Sequence, residues 1–241
     1  MDGVTLWRRV SAECLGSAFL AAVVIGSGIA AQRLSPGNPG LELFENAVAT
    51  GAGLFAIILM FGPVSGAHLN PVVSIVDAVF GGIRWVTVCL YIPAQVLGCV
   101  VGAVIANLMF GARAISISTH HRASAGHFLS EVVATLGLLL VIFALARSGR
   151  SSGAPAAIGA YIAAAYFFTS STSFANPAIS VGRIFSNTFS GIAPSSVPSF
   201  VGAQLLGGLA AVLILKFLYP GITHAEAANI LMAHDAAKGP R

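Results

Sequence analysis

Two short apolar stretches, each opening on Asn-Pro, sit among six longer ones, and no soluble fold accommodates that order. The longer stretches lie near 11–31, 45–62, 86–109, 128–146, 154–170 and 198–219, and the short ones near 70–80 and 176–187. A helix rising ~1.5 Å per residue needs ~20 apolar residues to cross ~30 Å of hydrocarbon, so each short stretch covers about half a bilayer. Charged residues make up only 8% of the 241 positions, too few to cover a water-exposed surface. A soluble enzyme, a nucleic-acid binder and a disordered chain are therefore excluded. The expectation is an all-α integral membrane protein of six transmembrane helices plus two half-helices.

The net charge of +4 fits membrane orientation better than an anionic partner. One side collects Arg8, Arg9, Arg84, Arg147, Arg150, Lys216, Lys238 and Arg241, and the other only Arg33, Arg113, Arg122 and Arg183. That bias predicts both termini in the cytoplasm of a plasma (inner) membrane protein. Arg8 and Arg9 before an apolar run invite a signal-peptide reading, but Glu13 interrupts what would be the apolar core. Cys14, Cys89 and Cys99 all fall inside apolar stretches, so no disulfide framework is implied.

Three landmarks recur in order. SGAHLNPVVS at 65–74 resembles SFANPAIS at 173–180, AQVLG at 94–98 matches AQLLG at 203–207, and Glu13 is answered by Glu131. The chain thus reads as two copies of one unit, repeat one about 1–112 and repeat two about 125–219, in a single domain over 1–219. Residues 220–241 read as a cytoplasmic tail. Three spans and a half-span per copy is an odd number, so the second copy is inverted, an arrangement that places a pathway at the repeat interface.

Asn is a favoured N-cap and Pro a favoured first helical residue, so Asn70-Pro71 and Asn176-Pro177 each start a half-helix. In inverted copies the two N-termini meet near the membrane centre. Each carries roughly half a positive charge, which repels cations, while the Asn amides offer donors to a neutral oxygen. Non-helical backbone is tolerated at that depth where it lines a wet cavity.

With these residues in view the chain resembles the aquaporin (major intrinsic protein) family over all but the tail after about Tyr219. The resemblance rests on Glu13, on Asn70, Pro71 and Val72, on Gln95, Glu131 and Gln204, and on Asn176, Pro177 and Ala178. It implies a passive channel with a pore in each subunit of a homotetramer, embedded in lipid, with no cofactor and no metal. Val72 stands where the family usually has Ala.

The resemblance also implies a four-residue filter. Counting from the motifs gives Thr50, Ala164, Ser173 and Ile179, where water-selective relatives carry an aromatic, a His and an Arg at three of the four. Such a ring is wider and partly apolar, which favours small neutral polyhydroxy solutes: glycerol, urea, or undissociated arsenous or antimonous acid. The missing Arg resembles a bacterial aquaglyceroporin-like branch associated with arsenic resistance. Arg183, about one turn beyond Ile179, reads either as a displaced cationic guard at the vestibule or, more commonly for such residues, as a cation that neutralises a helix end or snorkels to the interface.

Glu13 and Glu131 read as braces for the motif loops rather than as proton relays. His68 reads as a hydrogen-bonded loop residue before a pH gate. His120, His121 and His127 lack Cys or carboxylate companions for a metal. Small residues at four-residue spacing, from Ala94 to Ala106 and from Ala203 to Ala211, let helices pack closely. Two competitors remain at this point: a water-dominated pore, and an ion-coupled secondary transporter built on inverted repeats.

Overall fold

A computed structural model describes residues 4–219, so the tail read over 220–241 lies outside the described residues. Every regular element among them is helical. The long helices are α1 (Leu6–Leu34), α2 (Pro39–Ser65), α4 (Trp85–Met109), α5 (Ala125–Arg147) and α8 (Val197–Leu218), each apolar and long enough to cross a membrane. The fifth expected span is shorter: α6 (Ala154–Phe168) is preceded by a 3-10 turn at Ser151–Gly153. The half-helices are α3 (Pro71–Val79) and α7 (Pro177–Gly182), the latter continuing into a 3-10 turn at Arg183–Phe185.

Helices overrun the apolar stretches at several ends because backbone pairing continues into polar sequence once capped. Asn38 caps α2 by accepting from the Leu41 N–H, with Pro39 as its first residue.

The two copies pack alike: α1 lies on α2 and α4, and α5 lies on α6 and α8, while α2 against α6 joins the copies. Each half-helix is wedged between α4 and α8, so it touches the third span of both copies. The small-residue stripes make this possible. A Cβ on Gly98 or Gly102 of α4 would collide with the carbonyl oxygen of Cys14 or Ala18 on α1. On α8, a Cβ at Gly207 would sit 2.6 Å from the Val132 carbonyl oxygen of α5. The stripes therefore serve packing inside the subunit.

Gly202, on the same α8, has open space around it. Gly102→Val is expected to destabilise the folded protein by about 3 kcal/mol, since backbone cannot yield as a side chain can. Gly202→Ala should be neutral. Thermal unfolding in detergent separates the two.

Candidate functional site: a central pore built from two inverted loops

The half-helix caps form as the Asn-Pro pairs require. Asn70 Oδ1 accepts from the Val72 N–H at 2.9 Å, and Asn176 Oδ1 accepts from the N–H groups of Ala178 at 2.9 Å and Ile179 at 3.3 Å. Each amide then reaches across to the other copy. Asn70 Nδ2 donates to the Ala175 carbonyl and Asn176 Nδ2 to the Leu69 carbonyl, both at 2.7 Å. An amide nitrogen carries two protons, so each Asn keeps one donor for the lumen.

The loops ahead of the caps are conformationally costly. Ala67 (φ 46°), Leu69 (φ 52°), Thr172 (φ 61°), Ser173 (φ 48°) and Ala175 (φ 48°) all take the left-handed region that non-glycine residues avoid. Glu13 and Glu131 hold them there. Glu13 accepts from Ser65 Oγ (2.7 Å), the N–H groups of His68 (2.9 Å) and Leu69 (2.7 Å), and Gln95 Nε2 (2.7 Å). Glu131 accepts from Ser171 Oγ (2.6 Å), the N–H groups of Phe174 (2.9 Å) and Ala175 (2.8 Å), and Gln204 Nε2 (2.6 Å). Both carboxylates are fully buried, and four donors each is what makes that burial tolerable.

A cavity passes between the copies, lined by α1 and α2 from one, α5 and α6 from the other, and both loops. Asn70 and Asn176 sit in its wall. Leu20 and Val24 on α1 are matched by Leu138 and Ile142 on α5, at the offset that relates Glu13 to Glu131. Pro71, Val72, Pro177 and Ala178 are buried behind the asparagines as the first turns of the half-helices.

Three of the four counted filter positions, Thr50, Ser173 and Ile179, line the cavity and are buried. Ala164 does not. It lies exposed on the outer face of α6, while Ile162 and Tyr166 face inward. At ~100° per residue, two positions of miscounting turn a side chain to nearly the opposite face. The Tyr166 hydroxyl pairs with Thr50 Oγ1 at 3.1 Å, which puts an aromatic ring where the sequence count had placed a methyl.

Arg183 is not at the interface. It is 2% exposed and lines the cavity, its guanidinium 3.5 Å from the Phe174 ring centroid, with Nε donating to the Ser190 carbonyl. His68 is held through Nδ1 to Ser74 Oγ at 3.1 Å and through Nε2 to Asp77 Oδ2 at 3.3 Å. Asp77, buried in α3, escaped sequence reasoning that looked for carboxylates only in the full spans. Its signal was register: it follows Asn70 by the interval at which Arg183 follows Asn176. Arg122 was also missed. Its Nε donates to the Gly191 carbonyl at 2.9 Å and its Nη2 to the Phe189 carbonyl at 3.0 Å, bracing the loop that carries Ser190. Burial lowers the Arg122 pKa, a cost that Tyr166 and Glu131 partly offset.

Residues 1–185 match the family described as major intrinsic protein. The chain belongs to that family. It is 44% identical over 218 residues to aquaglyceroporin AqpS of Rhizobium meliloti (strain 1021), covering 90% of this chain and 93% of that one. It is 30% identical to aquaporin-4 of Bos taurus over 85% of this chain and 67% of that protein. The fold superposes on the X-ray structure of the aquaglyceroporin from Plasmodium falciparum with a TM-score of 0.71 at 22% identity, covering 90% and 98% of the two chains.

As a major intrinsic protein the molecule is an integral membrane protein and a passive channel for small uncharged solutes, not an enzyme. The coupled-transporter reading falls with that membership. The family's pore is what the paired asparagines, the braced loops and the cavity between the copies build here.

Proposed function

We propose that the channel conducts small polyhydroxy solutes, namely undissociated metalloid acids such as arsenous or antimonous acid, or glycerol and urea, with some water alongside. The observation that carries this reading is the mixed wall of the cavity. The hydroxyl-bearing residues Thr50, Tyr166 and Ser173 line it together with Ile158, Ile162 and Ile179. A solute that carries hydroxyls on an uncharged body is matched by such a wall, whereas water gains nothing from the isoleucines. The 44% identity to a protein named as an aquaglyceroporin supports the same class of solute. Thr50, Tyr166, Ser173 and Ile179 form the filter in this reading, with Ala164 removed from it.

The subunit acts as one channel unit, repeat one about 1–112 and repeat two about 125–219. It assembles as a homotetramer in the plasma membrane with both termini cytoplasmic. A water-dominated pore is the competing reading, and the ring of Tyr166 bonded to Thr50 favours it by narrowing the passage.

Stopped-flow light scattering on proteoliposomes decides between them. Uptake of glycerol or arsenous acid about tenfold or more above protein-free vesicles is the expected result. Fast osmotic water flux with solute entry at the protein-free rate would leave the water-dominated reading standing.

A further inference from the structure

The seventh residue after each Asn folds back onto the residue two before it. In the first copy Asp77 reaches His68, and in the second Arg183 lies over Phe174. One register therefore places an anion in one copy and a cation in the other. The first is spent: Asp77 meets the imidazole, and it does not line the cavity. The second is open to the lumen. Among the described residues, the only hydrogen bond of the Arg183 side chain is from Nε to the Ser190 carbonyl, and its Nη atoms are not among the buried polar atoms lacking partners. A guanidinium cannot shed its proton, so a permanent positive charge with free donors stands in the cavity wall.

We infer that Arg183 is the specificity-determining cation of this pore, acting from one turn beyond Ile179 and excluding cationic solutes while neutral ones pass. The inference rests on the cavity being the conduction path.

The charge is positioned by a chain of contacts reaching back to α1. Ser190 Oγ donates to the Val24 carbonyl at 3.0 Å, and Ser190 sits so close to Gly28 that any Cβ there would collide with its hydroxyl. That fixes the Ser190 carbonyl, which holds Nε. Phe174, set edge-on against Phe200 with ring centroids 5.0 Å apart, supplies the flat surface beneath the guanidinium. Arg122 lies 5.5 Å from the centroid of the same ring, a second positive charge close to Arg183. Ser173, whose Oγ is buried without a partner, lines the same cavity. A neutral oxygen accepts from the Nη donors; an ammonium or guanidinium ion meets like charge in a low-dielectric passage.

The test uses the full chain in proteoliposomes and compares glycerol with methylammonium, which is close to it in size but charged. The wild type should pass glycerol and exclude methylammonium. Arg183→Gln should raise methylammonium entry by about tenfold or more, with osmotic water flux recorded in parallel to show an open pore. Arg183→Lys, which keeps the charge, should remain closed to methylammonium. If Arg183→Gln does not yield folded protein, Phe174→Leu replaces it, and a methylammonium leak of about threefold is expected from loss of the stacking surface. A folded Arg183→Gln or Phe174→Leu channel as tight to methylammonium as the wild type overturns the assignment. A wild type that passes no glycerol overturns the solute reading instead, and the methylammonium comparison still decides Arg183.

Discussion

Ile179→Arg is expected to reduce neutral-solute uptake by about a hundredfold, the largest functional effect of any single change in this pore. Ile179 is 4% exposed and lines the cavity one turn before Arg183, so a longer side chain there has no wall to withdraw into. Two guanidinium groups on successive turns also repel, and the Ser190 carbonyl is already taken by Arg183. The new cation must then extend into the lumen. Light-scattering uptake of glycerol, with osmotic water flux recorded in parallel, reads the effect. Unchanged uptake would place the constriction away from residue 179.

Glu131→Ala is expected to prevent accumulation of folded protein, with Glu13→Ala close behind. Removal of Glu131 strands the Ser171 hydroxyl, two backbone N–H groups and the Gln204 amide in a dry interior. Each orphaned buried donor costs about 1–3 kcal/mol, so four of them rival the whole stability of about 5–15 kcal/mol. The loop they hold also contains Thr172, Ser173 and Ala175 in left-handed conformations, and Glu131 pins its end through the N–H groups of Phe174 and Ala175. Glu131→Gln keeps one acceptor oxygen but turns an NH2 toward other donors, and it should lower the unfolding temperature sharply without abolishing folding. Size-exclusion profiles and thermal melts in detergent measure both.

Much of this architecture was legible because its signals are local or repeated. The Asn-Pro pairs, the matched glutamates and the Ala-Gln landmarks each carry their own chemistry. Asn-Pro alone would have misled: Asn38-Pro39 is the same dipeptide and merely caps α2 at an exposed position. What distinguishes Asn70 and Asn176 is the glutamate that shapes the loop ahead of each one.

The filter was less legible, for a geometric reason. α6 is apolar on every side, so its sequence contains no polar stripe to mark which face turns inward. Counting back from Asn176 crosses the irregular segment between Thr169 and Ala175, and an error of two residues exchanges Tyr166 for Ala164. Arg183 was ambiguous for a different reason. Only the contacts with Phe174 and Ser190, distant or irregular in sequence, decide between a buried cation and a snorkelling one.

The crossed bonds from Asn70 to Ala175 and from Asn176 to Leu69 also have a bearing on how the molecule is made. When the ribosome has released only the first copy, Asn70 has no carbonyl to reach for and the Leu69 carbonyl has no donor. Glu13 can already hold the turn at 66–69, but the crossed pair of bonds must wait for α7 to arrive. Maturation of the pore is thus a late event in biosynthesis, shared between halves of the chain that enter the membrane in opposite senses.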